Sequence, residues 1–319
     1  MRDLPGTVSI AEEGPREGFQ IERGPISTAQ KIELIDALSE TGLQQIQLVS
    51  FVPAANVPGM ADADAVVAGY RRKPGIRYTG LWLNERGLER AIATQRLDIA
   101  GSIGTSASAA FLRRNQKRTP SENIDAQRSI LEMYRRLAIP VECAGIMAAF
   151  GSNFGEDITP PKIADIAGEL LGLGAEKDMS IKELILADTM GWATPDAVER
   201  VVGTVRTRFP DLEIILHLHD TRGMAIANAW AGLGMGVRRF DAAVGGLGGC
   251  PFAASSGASG NICTEDLVFL CHEAGIETGI DLDLLIEAAL LAERIVGHPL
   301  PGAVKIGGTR RAIARRMAL

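Results

Sequence analysis

The sequence has few of the features that mark secreted, membrane-spanning or nucleic-acid-binding proteins. Four cysteines in 319 residues are too few for a disulfide framework, so we expect reduced thiols and a cytoplasmic protein. No apolar run is long enough to span a bilayer, and Met1–Gly6 lacks the apolar stretch of a signal peptide. The net charge of −6 is mild and argues against nucleic acid or an anionic membrane as a partner.

Strand-like and helix-like apolar patterns alternate along the chain. The strand-like runs are Thr7–Glu12, Gln45–Phe51, Arg77–Leu83, Leu97–Ile103, Pro140–Ile146, Glu183–Asp188, Glu213–His219 and Arg239–Val244. The helix-like segments are Thr28–Thr41, Asp62–Arg72, Glu85–Thr94, Ser121–Leu137, Pro160–Leu171, Pro195–Arg208 and Ile226–Met235. Eight such strands indicate a parallel sheet, and eight is the number that closes a barrel. We therefore predict an α/β fold, a (β/α)8 TIM barrel over about residues 7–262.

A doubly wound open sheet is the alternative fold. It predicts a glycine-rich phosphate-binding turn after the first strand, which Gly14–Gly18 does not supply. Two further helical stretches, Glu265–Ala274 and Leu282–Val296, predict a C-terminal helical extension at about 263–300 that acts as a cap or in oligomer formation. Because no linker or repeat interrupts the sequence, we predict one domain over residues 1–319. We also predict a homodimer.

Two of the four histidines stand close together at the end of an apolar run. His217 and His219 are separated by one residue, and side chains two apart in a strand project from the same face. Paired imidazoles on one rigid surface form half of a site for a divalent metal. An isolated pair of this kind is more often two unrelated polar residues than a metal site, so the interpretation depends on the residues found elsewhere in the chain.

Polar side chains follow several of the other predicted strands, where a barrel carries its active site. Those at strand ends and in the loops after them are Glu12, Arg16, Glu17, Gln47, Ser50, Asp188, Thr189, His217, His219, Asp220 and Asn261. Carboxylate, imidazole and carboxamide groups together suit Mg²⁺ or Mn²⁺. The sequence has no thiolate-rich set, so we do not expect structural zinc.

Several motifs occur together along nearly the whole chain. They are Gly14–Gln20, Ser50–Val52, His217–Gly223 and the loop Gly246–Pro251 followed by Gly257–Asn261. The combination resembles the 3-hydroxy-3-methylglutaryl-CoA (HMG-CoA) lyase family, which belongs to the DRE-TIM metallolyase superfamily. The resemblance runs from about residue 7 to about residue 297. It implies a carbon–carbon lyase that cleaves a 3-hydroxyacyl-CoA, with an acyl-CoA as its substrate partner.

The resemblance also implies a ligand set and an oxyanion-binding residue. His217, His219 and Asn261 would bind the metal, Mg²⁺ or Mn²⁺, with the carboxylate of Glu17 as a further ligand. Arg16 would hold the thioester oxygen, where negative charge develops as the carbon–carbon bond breaks. A guanidinium offers planar donors to such an oxyanion, so the residue type fits the implied role.

Five further residues receive roles from the same resemblance. Cys250, in the glycine-rich loop, would assist proton transfer. Asp188 and Glu12 would act in acid–base steps or orient groups near the metal. Ser108 and Arg23 would lie near the CoA or acyl part of the substrate.

The chain departs from the family pattern at three positions in the implied site. Glu17 replaces an aspartate, Gln47 replaces a glutamate, and the loop Pro251–Gly260 is about two residues longer. We therefore expect a substrate other than HMG-CoA. A Claisen-type condensing enzyme is one alternative, against which the Gly246–Pro251 loop argues. A non-catalytic homologue is the other, against which the intact arginine, histidines and asparagine argue.

Overall fold

The computed structural model describes residues 3–22, 24–249 and 260–317, with the backbone alone at 311, 312, 315 and 316. The chain divides into two compact units. Ile99–Phe240 makes up the main part of the first unit, and the second contains Gly6–Asp98, Asp241–Gly249 and residues 260–317. The single-domain assignment of residues 1–319 stays a prediction.

The strands and helices alternate along the chain. The strands are β1 Ser9–Glu12, β2 Gln45–Ser50, β3 Arg77–Leu81, β4 Gly101–Ser106, β5 Val141–Met147, β6 Glu183–Ala187, β7 Glu213–His217 and β8 Arg239–Ala242. The helices are α1 Phe19–Ile21, α2 Thr28–Ser39, α3 Ala63–Gly69, α4 Glu85–Ala93, α5 Ala109–Gln116, α6 Pro120–Arg136, α7 Pro160–Ala175, α8 Pro195–Arg208, α9 Ala225–Gly234, α10 Thr264–Glu273, α11 Leu282–Val296, α12 Val304–Gly307 and α13 Arg310–Met317. All eight predicted strands are therefore present, with shifts at some of their ends.

The strand order is that of a (β/α)8 fold. In the first unit β4, β5, β6 and β7 pair in parallel, each with its successor. In the second unit β1, β2 and β3 do the same. The whole order is β3-β2-β1-β8-β7-β6-β5-β4, which places the last strand beside the first. A doubly wound sheet has a different order, so the barrel prediction is confirmed and the alternative is wrong.

Side chains in register across the strands form the core of each unit. Ile103, Ala144, Leu184 and Ile214 are paired from β4 to β7, and all four are buried. Large buried side chains strengthen such a layer by removing apolar area from water. In the second unit the corresponding row is Glu12, Ile46 and Tyr78, all fully buried. A carboxyl group therefore takes a place in the core there.

Helix starts follow the sequence signals in most cases. Ser27 accepts a hydrogen bond from Gln30 N, and the Gln30 side chain bonds back to the Ser27 backbone. This reciprocal pair satisfies two backbone donors that the first turn leaves without partners. Thr194 caps α8 through Ala197 N, whereas Thr159 makes no side-chain cap for α7. Proline stands at the start of both helices, as predicted.

Three assignments differ from the expectation. The fourth strand was predicted at Leu97–Ile103 but runs over Gly101–Ser106, because the apolar Leu97 region precedes a strand rich in small residues. Helix α5 was not predicted, because its only large apolar residues, Phe111 and Leu112, are adjacent and followed by basic and polar residues, so they show no helical repeat. Strand β7 ends at His217, two residues earlier than predicted.

The C-terminal extension agrees with prediction at its two long helices. Helices α10 and α11 lie where Glu265–Ala274 and Leu282–Val296 were expected, and α12 and α13 follow them unforeseen. Cys143, Cys263 and Cys271 are free thiols. Among the described helices, none has the length and apolar character needed to span a bilayer.

Candidate active site

A single π-helical turn, Gly14–Gly18, follows β1 and carries Arg16 and Glu17. Gly14 N donates to Glu12 Oε1 over 2.7 Å, and a Cβ at Gly14 would lie 2.6 Å from that oxygen. Glycine is therefore required for the turn to close on the end of the strand. Single π-type turns of this kind occur often at functional sites.

Arg16 is held by three side chains of the second unit. Its Nη1 lies 2.9 Å from Glu17 Oε2, Nη2 pairs with Glu13, and Nε donates to Gln47 Oε1. The Arg16 side chain is only 12% exposed. Burial alone would lower the pKa of Arg16, but nearby carboxylates raise it above its ordinary value, so the guanidinium stays charged.

Glu17 and Asn261 form the other half of this cluster. Asn261 Nδ2 donates to Glu17 Oε1 over 3.0 Å and to Leu247 O over 2.9 Å. Gly249 N also donates to Glu17 Oε1, over 3.2 Å. Asn261 Oδ1 is buried and has no hydrogen-bond partner in the described part of the chain. A buried carbonyl oxygen without a partner is costly, so this atom is suited to bind a cation or a donor.

Two glycines allow the chain to pack closely around Asn261. Gly248 has φ +89°, and a Cβ there would meet Asn261 Nδ2 at 2.6 Å. A Cβ at Gly260 would meet Gly248 O at 1.9 Å. The glycine-rich pattern read from the sequence thus has a steric cause, because the loop fixes the position of the carboxamide.

Glu12 is fully buried, and both of its carboxyl oxygens have partners. Oε1 accepts from Gly14 N and from Val244 N, the latter over 2.9 Å, while Thr264 Oγ1 donates to Oε2 over 2.6 Å. Burial raises its pKa to about 7 in spite of these bonds. These contacts tie β1 to the turn after β8 and to α10. The acid–base role of Glu12 stays a prediction.

The two histidines of the first unit face each other. His217 Nε2 and His219 Nε2 are 3.3 Å apart, so the predicted common face is confirmed although β7 ends at His217. His219 Nδ1 lies 3.0 Å from Thr189 O. A carbonyl only accepts, so Nδ1 carries the proton and Nε2 keeps a lone pair. Two imidazole nitrogens this close together suit a shared cation once both are deprotonated.

Asp188 follows β6 in the same unit and is almost fully buried. Its Oδ1 accepts from Trp192 N over 2.8 Å and from Ala193 N over 3.0 Å. Its Oδ2 is buried and finds no partner among the residues described here. Burial raises the pKa of Asp188 to about 7. This oxygen is therefore able to exchange a proton near neutral pH.

Ser108 is fully buried and starts helix α5. Its Oγ accepts from Phe111 N over 3.1 Å and from Ser152 Oγ over 3.0 Å, and it donates to Glu156. Glu156 also accepts from Ala110 N over 3.0 Å. The Ser108 hydroxyl is thus engaged within the protein, and its predicted place near CoA or the acyl group stays a prediction.

Cys250 and Arg23 lie outside the described residues, as does the longer loop apart from Gly260. Sequence reasoning gave no role to four groups that act on predicted site residues: Glu13, Thr264 and Trp192 contact them, and the charge of Arg222 acts on Asp188. Glu13 had a signal, since it stands beside Glu12 ahead of the Gly14–Gly18 turn. Trp192 and Arg222 stand in the loops after β6 and β7, where they could have been sought.

The residues present fit a divalent metal. The Glu17 carboxylate and Asn261 Oδ1, which has no hydrogen-bond partner among the described residues, are donors that such an ion takes, and so are the imidazoles of His217 and His219. Oxygen and imidazole donors of this kind suit Mg²⁺ or Mn²⁺ better than a thiolate-preferring ion.

Comparison with known proteins agrees with these features. Residues 7–291 match the HMGL-like family. The cytoplasmic 3-hydroxy-3-methylglutaryl-CoA lyase of Mus musculus is 38% identical over 285 residues, covering 89% of this chain and 80% of that protein. The hydroxymethylglutaryl-CoA lyase YngG of Bacillus subtilis is 37% identical over 297 residues, covering 93% and 96%.

Solved structures give the same result. The HMG-CoA lyase of Bacillus subtilis superposes with a TM-score of 0.87 at 36% identity, covering 95% of this chain and 98% of that one. An Acinetobacter baumannii HMG-CoA lyase in complex with coenzyme A and 3-methylmalate gives 0.84 at 36% identity, covering 96% of both chains. With identity above a third over nearly all of its length, the chain belongs to the HMG-CoA lyase family of carbon–carbon lyases, in the DRE-TIM metallolyase superfamily.

Proposed function

We propose that this protein is a metal-dependent lyase that cleaves a 3-hydroxyacyl-CoA, HMG-CoA or a related thioester, to acetyl-CoA and a keto acid. The observation that carries the proposal is Asn261 Oδ1, which is buried without a hydrogen-bond partner among the described residues and adjoins the Glu17 carboxylate. Such an oxygen beside a carboxylate is suited to a cation. Membership of a carbon–carbon lyase family supports the same assignment.

Glu17, Asn261, His217 and His219 would hold the divalent ion, Mg²⁺ or Mn²⁺. When bound, the ion lowers the pKa of the substrate alcohol and so favours loss of its proton. The Thr189 carbonyl supports this role, because it accepts from His219 Nδ1 and so makes Nε2 the nitrogen that would contact the ion. Asn261 supports it through the position that Gly248 and Gly260 impose.

Arg16 would stabilise the charge that develops on the thioester oxygen. A guanidinium has five N–H donors, and three of its nitrogens are engaged by Glu13, Glu17 and Gln47. Donors on Nη1 and Nη2 remain for the substrate. Because the group is buried and held by three partners, it would need little reorganisation when the enolate forms.

The cleavage itself moves one proton off oxygen and one onto carbon. The 3-hydroxyl loses its proton to a base, the C2–C3 bond breaks, and its electron pair passes into the thioester to form an enolate. C3 becomes a carbonyl, and C2 takes a proton to give acetyl-CoA. Asp188 would exchange the first proton through Oδ2, and Cys250 would assist the second transfer. Glu12 would act as an acid–base or orienting group near the metal.

The remaining assignments are also proposals. Ser108 and Arg23 would lie near the CoA or acyl part of the substrate. The protein would act as a homodimer in the cytoplasm. The substitutions at Glu17 and Gln47 support a substrate other than HMG-CoA, since both change groups around Arg16.

The test is release of acetyl-CoA from a panel of 3-hydroxyacyl-CoAs, with Mg²⁺, with Mn²⁺ and after EDTA treatment. We expect cleavage that depends on the ion and disappears in His217→Gln. His272→Gln is the matched control and should retain activity, because His272 lies in α10 and its ring contacts the hydroxyl of Thr278. Mn²⁺ binding is measured from the electron paramagnetic resonance signal of the free ion, which weakens as the ion binds. The affinity should fall in His217→Gln and stay at the wild-type level in His272→Gln.

Full activity after removal of the metal would contradict the proposal. Condensation of acetyl-CoA with a keto acid, without measurable cleavage, would favour a synthase. Metal binding with neither reaction would favour a non-catalytic homologue.

A further inference from the structure

An exposed tryptophan and an arginine stack on each other in the loops after β6 and β7 of the first unit. The Arg222 guanidinium carbon lies 3.7 Å from the centre of the Trp192 ring. Trp192 is 44% exposed, and Arg222 is exposed as well. Trp192 Nε1 donates to Asn153 Oδ1 over 2.6 Å, which holds the indole from the side. An exposed aromatic ring that is held in one orientation offers a ligand a fixed apolar surface.

The guanidinium is fixed along one edge and available along another. Arg222 Nη1 donates to Met190 O over 2.8 Å and to Gly191 O over 2.9 Å. Within the described ranges, Nε and Nη2 of this side chain make no hydrogen bond. These two nitrogens form the lateral edge of the fork, whose parallel donors match the two oxygens of a carboxylate.

The same loops contact the histidine pair directly. Asp188 N donates to His217 O over 2.8 Å, and the Thr189 carbonyl faces His219. Trp192 is joined to this turn by its own backbone bond to Asp188. A ligand group reaching Arg222 would therefore belong to the part of the substrate near the histidines. In a thioester held there, that part is the acyl group and not the distant nucleotide.

We propose that Arg222 is a specificity-determining residue that binds a carboxylate at the far end of the acyl group. Trp192 is its positioning residue, because the indole and the two carbonyls hold the fork in one orientation. The inference rests on the proposed function and assigns a residue to the carboxylate that becomes the acid group of its keto acid product.

The test uses two thioesters that cannot be cleaved, since both lack the 3-hydroxyl. Glutaryl-CoA carries the distal carboxylate, and pentanoyl-CoA has the same number of acyl carbons without it. Their dissociation constants are measured by titration calorimetry with the full chain in the presence of Mg²⁺. We expect glutaryl-CoA to bind the wild type about 10- to 100-fold more tightly, as hydrogen bonds to a charged group allow. Arg222→Met should abolish that preference and leave pentanoyl-CoA binding little changed.

Three further variants test whether the effect comes from the planar guanidinium of Arg222, from its charge alone or from a general loss of structure. Arg222→Lys keeps the charge and should retain only part of the preference. Trp192→Leu should weaken glutaryl-CoA binding while sparing pentanoyl-CoA. Arg208→Met is the matched control, because Arg208 also stacks on an aromatic ring, Phe209, but lies at the far end of α8. It should keep the wild-type preference.

Equal binding of the two thioesters to the wild type would overturn the proposal. An equal loss of affinity for both thioesters in Arg222→Met would also overturn it, because the guanidinium would then bind the CoA phosphates that both share. In that case, the variant should affect the binding of 3′-dephospho-glutaryl-CoA less than that of glutaryl-CoA. Because neither probe reacts, the result does not depend on lyase activity. A wild type that cleaves nothing but keeps the Arg222-dependent preference would refute the proposed function and leave this inference standing.

Discussion

Replacing Arg16 with glutamine tests the central electrostatic feature of the candidate site. Arg16 is charged, 12% exposed and placed between Glu13 and Glu17, whose side chains are only 11% and 13% exposed. Glutamine has two donors in place of five, so it cannot serve both carboxylates and a substrate oxygen. The variant therefore loses the donor that acts on developing charge and leaves two carboxylates without their cation.

The two losses have different magnitudes and different readouts. Removal of one oxyanion donor costs about 10²–10³ in kcat, which is about 2.7–4 kcal/mol of barrier. Removal of one partner of a buried ion pair costs about 3–5 kcal/mol of folding free energy, because the other charge stays buried. A bound divalent ion would offset part of the second loss but none of the first. We expect slow catalysis by a protein whose Tm depends more strongly on Mg²⁺ than the wild type's does.

The assay is acetyl-CoA release over a range of concentrations of the best-cleaved thioester, at saturating Mg²⁺, with thermal unfolding recorded with and without the ion. Arg16→Lys is the matched control: it keeps the charge, loses the fork, and should fall between wild type and Arg16→Gln in both measurements. An increase in KM with unchanged kcat would refute the reasoning, since it would make Arg16 a residue of ground-state binding.

Three other changes give separate outcomes. Glu17→Asp restores the family residue, so we expect a working metal site with altered selectivity across the 3-hydroxyacyl-CoA panel; unchanged Mn²⁺ affinity, rate and selectivity would show that Glu17 is not a ligand. Gly248→Ala puts a Cβ 2.6 Å from Asn261 Nδ2 and strains a φ of +89°, so Mn²⁺ affinity should fall, and wild-type affinity would contradict the steric argument. Burial raises the pKa of Glu265 to about 8, so its contribution to stability is fully present at acid pH and is lost as pH rises towards 8. Urea unfolding of Glu265→Gln from pH 5 to 8 should therefore show a flatter slope, by at most about 1.4 kcal/mol per pH unit, and an unchanged slope would mean that Glu265 keeps no proton in the folded state.

The fold could be predicted because its signals are local and repeated. Each strand of the order β1 to β8 carries its own apolar run, and helices such as α2 and α8 carry their own caps. Strand β4 was misplaced because its residues are small and its neighbour sets its position: Gly104 pairs with Gly145 across the ladder. No property of the β4 segment alone distinguishes it from the apolar stretch before it.

The candidate site could be predicted only where a motif exposes it. The spacing of His217 and His219 is a two-residue pattern, and the structure places their Nε2 atoms 3.3 Å apart. The ion pair of Glu13 with Arg16 and the stacking of Arg222 on Trp192 depend on side-chain directions, which cannot be predicted from the spacing of residues in the sequence. Resemblance to a family assigns roles to shared motif positions, so it does not reach such groups either.

The buried Glu12 carboxyl also constrains the order in which the chain acquires structure during synthesis. Its partner Thr264 lies 252 residues further along, and Val244 lies 232 residues away. At about 5–20 residues per second, the ribosome needs roughly 13–50 s to deliver Thr264 after Glu12. During that interval the segment Ile99–Phe240 is synthesised in full, whereas the partners of Glu12 on Val244 and Thr264 are not yet available. In water the Glu12 carboxyl is ionised at neutral pH. Closure of β1 against α10 therefore comes late, and because burial raises the pKa of Glu12 to about 7, this step favours proton uptake below that pH and depends on the pH of its surroundings.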